Sequence, residues 1–381
     1  MTAVASRGAM GVVWRFALAT TLIVLAFAMT GPVLAISLQR AGASTAAVGL
    51  FAMVPFLLIG LLIPVVPRIL ARWGVVRTYR AGCLLELAGV GLYAATDHWL
   101  PWTVGAAVSG IGAAGLWNAT EALLAREAPP DQRGRVMGLY QTSLGAALAL
   151  GPFLPALLGW GERPILWAAL ALVTGCCAVA VSIPSHAAVE PPPGQAGTWH
   201  ALRQVPLLAL IAFSGGVFEA GLGSISAAHA SSLGLDLSSA ASVAGAIGVG
   251  SFLCQLPAGL AADRFPMRRV FTVAALALLA ASAALAFADR GPWLLWAVGV
   301  VWGGVGGALY TLTMVEVAHE FAGRATAGGA AAMITGYTAG GTIGPVASGS
   351  ALQWGGLLGL AALLGALAGA TLVAARSVPA D

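Results

Sequence analysis

Three glutamates, Glu121, Glu219 and Glu316, stand inside long apolar stretches of this sequence, where a carboxyl group could bind and release a proton. No arginine lies near the middle of these stretches to pair with them. Apolar surroundings disfavour the charged form of an unpaired carboxyl group, and a charge at the centre of a membrane costs roughly 2.5–3.5 kcal/mol. The three residues are therefore candidates for proton coupling.

The candidates differ in their distance from the ends of their stretches. Glu219 lies near the middle, and the competing interpretation is a structural carboxylate that is hydrogen-bonded to a neighbouring helix. Glu316 lies near an end and is followed by His319 and Glu320, so solvation at the membrane surface competes with function. Glu86 also occupies an apolar stretch, where we expect it to pair with an adjacent helix.

Glu121 shares one face of a predicted helix with Trp117 and Asn118, because residues three and four apart are neighbours on a helix surface. An aromatic ring, an amide and a carboxylate on one face could form the wall of a binding site. Glu121 lies toward one end of its stretch, so a role in gating competes with this interpretation.

Other kinds of chemistry have less support. The sequence contains no lysine, which excludes a phosphate-binding Gly-x-x-x-x-Gly-Lys loop and argues against ATP-driven pumping. The cysteines at 83, 176, 177 and 254 lie in apolar stretches without Cys-x-x-Cys spacing, and we interpret them as small buried residues. A transition-metal transporter is a weaker alternative. We expect no catalytic residues, no metal and no cofactor, and therefore a protein that is not an enzyme.

Long apolar helices must position these residues. Of the 381 residues, 59% are hydrophobic and 8% are charged, and the mean hydropathy is +0.91, whereas a soluble domain carries about 25% charged residues. No soluble fold has enough interior for this apolar surface, so the surrounding solvent must be lipid. The apolar runs are too long for barrel strands and do not alternate. The sequence therefore predicts an all-α membrane protein.

Twelve apolar segments are long enough to span a bilayer, which requires about 20 residues each. Numbered in chain order, they lie at 13–38, 46–70, 77–96, 100–125, 136–159, 164–183, 204–228, 239–262, 269–288, 292–317, 325–351 and 354–375. Arg7 and Arg15 lead directly into segment 1 without a clear cleavage site. We therefore expect segment 1 to be a retained anchor rather than a signal peptide.

The arginines predict the orientation of the segments. If the N-terminus is cytoplasmic, 15 of the 18 basic residues fall on the cytoplasmic side, and Arg40, Arg163 and Arg290 fall outside. Such a bias is typical of inner-membrane proteins. It also accounts for the pI near 9.2 without a nucleic-acid partner. We therefore expect both termini in the cytoplasm and no binding to nucleic acid.

An internal repeat divides the chain into two halves. Arg72 and Arg264 are separated by 192 residues, and the pairs Gly151-Pro152 and Gly344-Pro345 by 193. Because six segments separate equivalent points, the two halves have the same orientation in the membrane. A run of three prolines beginning at Pro191 cannot be helical. The pattern predicts an N-terminal half at 1–183, a cytoplasmic linker at 184–203 and a C-terminal half at 204–381.

The loops after segments 2 and 8 carry a resemblance to a known family. The residues that match are Arg72, Gly74 and Arg77 in the first loop and Gly259, Asp263, Arg264, Arg268 and Arg269 in the second. This pattern resembles the Gly-x-x-x-Asp-Arg-x-Gly-Arg-Arg loop of the major facilitator superfamily. In the first copy, Pro67 and Ala71 replace the Gly and the Asp.

The resemblance covers essentially the whole chain. It implies two pseudo-symmetric six-helix bundles and a protein that works as a monomer. It also implies that the matching loop residues form a conformational latch, in which Asp263 holds the halves together in one state and releases them in another. The competing interpretation is that these arginines only orient the protein in the membrane.

In this family, segments 1, 4, 7 and 10 line a solute cavity between the halves, so the resemblance implies that Glu219 faces the solute path. Candidate cavity residues on these segments are Trp117, Asn118, Thr30, Ser224, Tyr310 and Thr313, and on neighbouring segments Tyr140, Gln141, Gln255 and Tyr337. Serine and threonine in membrane helices also bond their own backbone, which is the competing interpretation for the hydroxyl residues.

Two departures from the family limit the prediction. Proton antiporters of the family carry an arginine four residues before a glycine early in segment 4, where this chain has Ala106 before Gly110. Around Gly151-Pro152 in segment 5, Ala147, Pro155 and Ala156 replace the glycines of the antiporter motif. Antiport of drugs against protons is therefore less well supported than transport in general.

The sequence as a whole predicts a secondary transporter of the bacterial inner membrane that moves a small solute by alternating access, with protons as the coupling ion. Because no arginine lies at the centre of a segment, a neutral, amphipathic or cationic solute fits better than a small anion. The direction of transport is left open. The alternative is a membrane sensor or assembly partner that has the same fold and does not transport.

Overall fold

The computed structural model describes the backbone of residues 3–127, 133–184, 202–320 and 326–378. Within these ranges, the side chains of residues 3–10, 121, 122, 124–127, 133–138, 141, 289, 318, 319 and 326–328 are not described. The described backbone is helical almost throughout and contains no strand, which confirms the predicted all-α class. Most of the predicted linker at 184–203 lies outside the described residues.

Helices occupy the twelve predicted segments. Segments 1, 3, 4, 6, 8, 9 and 10 are single helices, at Ala3–Arg40, Val75–Ala95, Trp99–Glu127, Glu162–Val181, Leu237–Arg264, Met267–Leu285 and Trp293–Glu320. Segments 2, 5 and 7 are interrupted, with helices at Thr45–Leu62 and Val66–Trp73, at Arg133–Leu150 and Leu154–Leu158, and at Pro206–Glu219 and Gly223–Ser232. Among the described residues, eight helical stretches meet both the length and the hydropathy needed to cross a membrane.

Segments 11 and 12 follow one another within Thr326–Ser377 and are separated at Gly356. The φ of Gly356 is +59°, in the left-handed region that glycine tolerates best, so the chain turns here without an intervening loop. The segments thus run back and forth between two ends of the bundle. We call the end that carries Arg72, Arg77 and Arg264 the arginine-rich end, and the end that carries Arg40 the arginine-poor end.

The two halves repeat one packing pattern. In the first half, segment 1 packs on segment 6, and segment 3 packs on segments 4 and 6. In the second half, segment 7 contacts segment 12 through a hydrogen bond of 2.7 Å from Thr371 Oγ1 to Ser214 Oγ, and segment 9 packs on segments 10 and 12. The same pairs of segments therefore meet in both halves, as the internal repeat predicts.

Arginines stabilise both ends of the first half. Arg80 donates to the carbonyl oxygens of Ala180, Val181 and Ile183 at distances of 3.1, 2.9 and 2.7 Å, at the C-terminal end of segment 6. A positive charge there also complements the helix dipole. At the arginine-poor end, Arg163 pairs with Asp97. These contacts fix segments 3 and 6 against each other.

The halves contact each other closely at the arginine-poor end. Thr45 Oγ1 donates to the carbonyl oxygen of Gly349 over 2.8 Å, and the amide nitrogen of Ala46 donates to Gln353 Oε1 over 3.2 Å, which joins segments 2 and 11. Arg40 of segment 1 donates to Ser231 Oγ of segment 7 over 3.1 Å. The chain is therefore closed between the halves at this end.

A cleft separates the halves toward the arginine-rich end. In segment 8, residues 240–248 are buried on every side, and segment 5 packs against them. Farther along the same helix, Leu253 and Leu256 are 58% and 71% exposed. On segment 5, Leu139 is 47% exposed. From this exposure we infer that the two helices diverge toward the arginine-rich end, and we call the space between the halves there the central cleft.

Candidate functional site

Glu219 is positioned by an interruption in segment 7. It is the last residue of the helix Pro206–Glu219, and the next helix begins at Gly223. The amide nitrogen of Gly221 bonds the carbonyl oxygens of Gly216 and Val217 at 3.0 and 3.1 Å, which closes the first helix. Interrupted helices form solute and ion sites in many transporters, because they place backbone and side-chain polar groups inside the membrane.

The carboxylate of Glu219 receives hydrogen bonds from two other segments. Ser251 Oγ of segment 8 donates to Oε1, and the Tyr337 hydroxyl of segment 11 donates to Oε2 over 2.8 Å. Both oxygens therefore act as acceptors. A carboxylate bound by two hydroxyls links segments 7, 8 and 11 at one point.

Polar and aromatic side chains extend this group toward the cleft. Thr311 Oγ1 donates to Gln255 Oε1 over 2.7 Å, and the Tyr310 and Tyr337 rings lie 4.6 Å apart between centroids. Together, Glu219, Ser251, Gln255, Tyr310, Thr311 and Tyr337 form what we call the Glu219 cluster. It is built by segments 7, 8, 10 and 11, all in the second half.

Gly307 leaves room for the side chains of the cluster, because it has no side chain of its own. A Cβ at this position would lie 2.7 Å from Glu219 Oε1, 2.7 Å from Ser251 Oγ and 3.1 Å from Gln255 Nε2. Three polar side chains from two segments thus meet over a glycine of segment 10. Any larger residue at Gly307 would displace at least one of them.

The cluster lies at the apex of the central cleft. Phe252 packs against Gly145 of segment 5, with its Cδ2 3.1 Å from the position of a Gly145 Cβ, and this contact joins the two halves. Gln255, nearly one turn farther toward the arginine-rich end, is exposed. Glu219, Tyr310 and Tyr337 are partly buried. The carboxylate is thus next to the point where the halves separate.

Aromatic side chains of the first half lie at the same depth. Ser224 Oγ of segment 7 is 3.7 Å from the position of a Gly31 Cβ in segment 1, so these residues meet across the halves. Phe27 on segment 1 and Glu219 on segment 7 each lie about one helical turn from this contact, toward the arginine-rich end. Phe27 is 44% exposed and meets Phe56 edge to face, with centroids 6.2 Å apart.

Phe56 connects this aromatic pair to the second half. Its Cδ1 lies 3.0 Å from the position of a Cβ at Gly341 of segment 11. Tyr337 precedes Gly341 by four residues, so both lie on one face of segment 11. Phe56 therefore contacts the face of segment 11 that also carries Tyr337, a member of the Glu219 cluster.

Several predicted cavity residues lie outside this cluster. Asn118 donates to the carbonyl oxygen of Ala114 over 2.9 Å, Thr30 to that of Ala26 over 2.9 Å, and Thr313 to that of Tyr310 over 2.8 Å. Each is a bond within its own helix. Trp117 is 41% exposed on segment 4, and Tyr140 is buried against segment 1.

The other predicted proton sites have different environments. The side chains of Glu121 and Gln141 lie outside the described residues. Glu316 is partly buried on segment 10, nine residues beyond Gly307, and lies outside the Glu219 cluster. Glu86 is buried between segments 3 and 4, where it interacts with Ser109.

The predicted latch residues lie at the arginine-rich end. Arg72, Arg77, Asp263, Arg264, Arg268 and Arg269 are exposed. Within the described chain, Asp263 makes no ion pair or hydrogen bond through its side chain. Gly74 forms the turn between segments 2 and 3 with a φ of +80°, and Gly259 lies within the segment 8 helix. Among the residues that the structure describes, no hydrogen bond or ion pair joins these two loops to the opposite half.

Two members of the cluster, Ser251 and Thr311, were not predicted from the sequence. Ser251 precedes Gln255 by four residues, so both share a face of segment 8. Thr311 lies four residues after Gly307, which places it over the same glycine. The spacing of polar residues around a glycine pair in segment 10 could have identified both.

No group of three or more His, Cys, Asp or Glu side chains is arranged to hold a metal ion among the residues that the structure describes. Cys83 and Cys176 are buried, with their sulfur atoms 3.5 Å apart between segments 3 and 6. This pair lies in the first half and is separate from the central cleft.

Comparison with known proteins identifies the family. A profile of the Major Facilitator Superfamily matches residues 16–251 and 208–381. The chain is 31% identical over 170 residues to "Uncharacterized transporter YycB" of Bacillus subtilis (strain 168), a match that spans 42% of each chain.

Solved structures show the same fold. The nucleoside transporter NupG superposes with a TM-score of 0.72 at 15% identity, covering 96% of this chain and 97% of that one. A mutant of NupG superposes with a TM-score of 0.78 at 13% identity, covering 96% and 98%. With the profile match over nearly the entire sequence and the two six-helix halves, the chain belongs to the Major Facilitator Superfamily of membrane transporters.

Proposed function

We propose that this protein is a proton-coupled secondary transporter that moves a small solute across the membrane by alternating access. The observation that carries the proposal is the position of Glu219 at the apex of the central cleft, hydrogen-bonded to segments 8 and 11. A group that binds a proton there could bias the halves toward one state, because a ligand shifts an equilibrium by its difference in affinity for the two states.

The arginine distribution supports an orientation with the arginine-rich end and both termini in the cytoplasm. The relative from Bacillus supports a location in the bacterial inner membrane. On this orientation, the central cleft opens to the cytoplasm. Outward opening then requires separation of the contacts around Thr45 and Gly349 and formation of the latch at Asp263.

Hydrogen-bond geometry suggests how protonation changes the cluster. In the present arrangement, both oxygens of Glu219 accept a hydrogen bond, from Ser251 and Tyr337. A protonated carboxyl group has one oxygen that donates and that is a weaker acceptor than a carboxylate oxygen, so protonation weakens one of the two hydrogen bonds or turns one hydroxyl so that it accepts. The change falls beside the interruption in segment 7, where the backbone between Glu219 and Gly223 can act as a hinge.

The solute is a small organic molecule on this proposal. NupG, which shares the fold, is named as a nucleoside transporter, and this supports a solute of that size class. The cluster offers hydroxyl, amide and carboxylate groups beside aromatic rings, which would bind an amphipathic molecule better than a hydrophilic anion.

The experiment begins with a ligand screen. Thermal stability of the purified full-length protein is measured with a library of metabolites, drugs and metal ions at pH 6 and pH 8; a ligand at a hundred times its dissociation constant adds about 2.7 kcal/mol to the free energy of unfolding. Hits are then tested for transport in proteoliposomes with an imposed pH gradient. We expect a solute whose transport is driven by the gradient.

Glu219→Gln is the variant that tests proton coupling. It keeps the size and the polarity of the side chain but cannot titrate, so we expect the pH gradient to lose its effect on transport. Glu86→Gln is the matched control, because it replaces a buried carboxyl group away from the cleft and should leave the response to pH unchanged. Transport that responds fully to the gradient in Glu219→Gln contradicts the proposal. A folded protein that binds ligands and transports none favours the sensor role.

A further inference from the structure

We propose that the transported solute is an organic cation with a compact aromatic or apolar body, and that it exchanges with a proton at Glu219. This inference rests on the proposed function, because it names the solute class of the same cleft. Its charged nitrogen would contact the Glu219 carboxylate, and its body would lie between the tyrosines of the second half and the phenylalanines of the first half.

The charge of the described residues around Glu219 favours a cationic solute. The described partners of the Glu219 carboxylate are hydroxyl groups, of Ser251 and Tyr337, and they are uncharged. The chain has no lysine, and Arg264, nine residues beyond Gln255, lies at the end of segment 8. A negative charge in the cleft apex is therefore compensated by no described cationic side chain. A cationic solute or a proton can provide that compensation, whereas an anion would be repelled.

An aromatic surface lies beside the carboxylate. Tyr310 and Tyr337 lie beside Glu219 with their rings inclined at 47°, and Phe27 and Phe56 lie at the same depth across the cleft. Aromatic faces attract ammonium groups within about 6 Å of the ring centre. Their edges and faces also bury an apolar body. One carboxylate among several rings thus matches a cationic, amphipathic ligand.

A proton and an organic cation compete for the single negative charge of Glu219. Protonated Glu219 is neutral, and binding of an organic cation to the ionised form requires that the proton leave. When the cation binds, one protonated carboxyl group and one free cation become one carboxylate–cation pair, and one proton is released. Because the same oxygens serve both ligands, proton and cation cannot be held together, and the expected process is exchange of one for the other.

Few other titratable groups face the site. Segments 10 and 11 contribute Tyr310 and Tyr337, and segment 8 contributes Cys254, which faces Gly304 of segment 10. Glu316 lies farther along segment 10, toward the arginine-rich end. Among the described residues, none of the groups that touch the carboxylate is cationic at neutral pH. A pH dependence of cation binding that is lost in Glu219→Gln can therefore be assigned to Glu219.

The test uses three probes with one ring and different charge: benzyltrimethylammonium, benzyl alcohol and benzoate. Binding to purified full-length protein is measured by calorimetry between pH 5 and pH 9, in buffers with different ionisation enthalpies, so that protons released are counted. Benzyltrimethylammonium keeps its charge at every pH, so any pH dependence belongs to the protein. We expect its affinity to rise at least tenfold with pH, with release of up to one proton per molecule bound.

Variants separate the two parts of the site. Glu219→Gln should bind the cation at least tenfold more weakly and release no proton, whereas Glu86→Gln should behave as the parent protein does. Phe27→Ala removes an exposed ring, and we expect binding about fivefold weaker with proton release intact. Because Phe27 is exposed, this variant tests the aromatic contact even if Glu219→Gln does not fold.

Equal or tighter binding of benzyl alcohol or benzoate would overturn the inference, and so would failure of all three probes to bind. These outcomes are distinguishable from failure of the proposed function. If the library screen yields a neutral or anionic solute whose transport follows the pH gradient through Glu219, proton-coupled transport stands and the cationic class is wrong. If no solute is transported under a gradient, both fail.

Discussion

At the scale of single residues, the Glu219 cluster depends on the absence of a side chain at Gly307 as much as on the polar groups themselves. A carboxylate, a hydroxyl and an amide approach the position where a Cβ would stand, at 2.7, 2.7 and 3.1 Å. These are closer than ordinary van der Waals contacts. Segment 10 therefore limits how Glu219, Ser251 and Gln255 can arrange themselves.

Replacement of this glycine tests that dependence. Gly307→Ala should force the side chains of the cluster apart, at a cost of about 1–3 kcal/mol in the free energy of unfolding, as for other overpacked sites. We expect transport of the solute found in the screen to fall at least tenfold. The measurement is initial transport rate in proteoliposomes, normalised to the amount of folded protein.

Gly91→Ala is the matched control for this prediction. Gly91 also lies within a membrane helix, but no described atom of another segment lies within 4 Å of its Cβ position. Alanine at position 91 should stabilise the helix by about 0.5–1 kcal/mol and leave transport unchanged. Normal transport by Gly307→Ala would show that the cluster does not need this close packing.

The sequence predicted individual residues of the cluster better than their arrangement. Glu219, Gln255, Tyr310 and Tyr337 were identifiable, because polar side chains are rare in apolar segments and therefore conspicuous. Their contact depends on how segments 7, 8, 10 and 11 pack, which spacing along one helix does not encode. For the same reason, Thr30 and Asn118 looked equally suitable, although each bonds its own helix.

At the scale of elements, the hydropathy pattern predicted the segments but not their interruptions. Segment 7 reads as one apolar run, yet its helix stops at Glu219 and resumes at Gly223. Glycines at 215, 216, 221 and 223 permit the break, but glycine is also common in uninterrupted membrane helices. Tertiary contacts, such as that of Gly221 with Gly344, decide which glycines lie at a break.

A helix cap at the arginine-poor end gives a prediction with a pH dependence. Asp236 precedes the segment 8 helix and its carboxylate accepts from the Ser239 amide nitrogen over 3.2 Å. Asp236→Ala should lower the free energy of unfolding by about 1 kcal/mol at pH 7, because it leaves that amide without its cap. Thermal or denaturant unfolding in detergent measures the change.

Hydrogen bonding from Ser239 holds the pKa of the exposed Asp236 below its usual value. A depressed pKa means that the ionised form contributes stability above the unfolded-state pKa, about 3.9, and that this contribution is lost as pH falls through the folded-state pKa. The difference between wild type and Asp236→Ala should thus narrow between pH 5 and pH 3. Asp236→Asn keeps a capping oxygen and serves as the control, with stability at pH 7 near that of wild type. A difference that is constant over this range would rule out the charged cap.

At the scale of the whole molecule, the described hydrogen bonds between the halves lie at the arginine-poor end. The predicted repeat accounts for the two similar halves, since equivalent segments pack in the same way in each. It does not specify the angle between them, because a transporter sequence must be compatible with more than one state. Asp263 is exposed, and Thr45 is hydrogen-bonded to Gly349. Both features are expected in the state whose cleft is open at the arginine-rich end.

Alternating access requires that the closed end open, and a covalent link there should stop transport. Ala46 and Gln353 are joined by a hydrogen bond of 3.2 Å between segments 2 and 11. In a variant with the four native cysteines replaced by alanine, Ala46→Cys with Gln353→Cys should react with a short, reducible bifunctional thiol reagent. We expect transport in proteoliposomes to fall more than tenfold and to return after reduction, while each single-cysteine variant treated in the same way keeps its rate. Full activity of the quantitatively linked protein would mean that segments 2 and 11 need not separate at this end, and solute would then have to pass by another route.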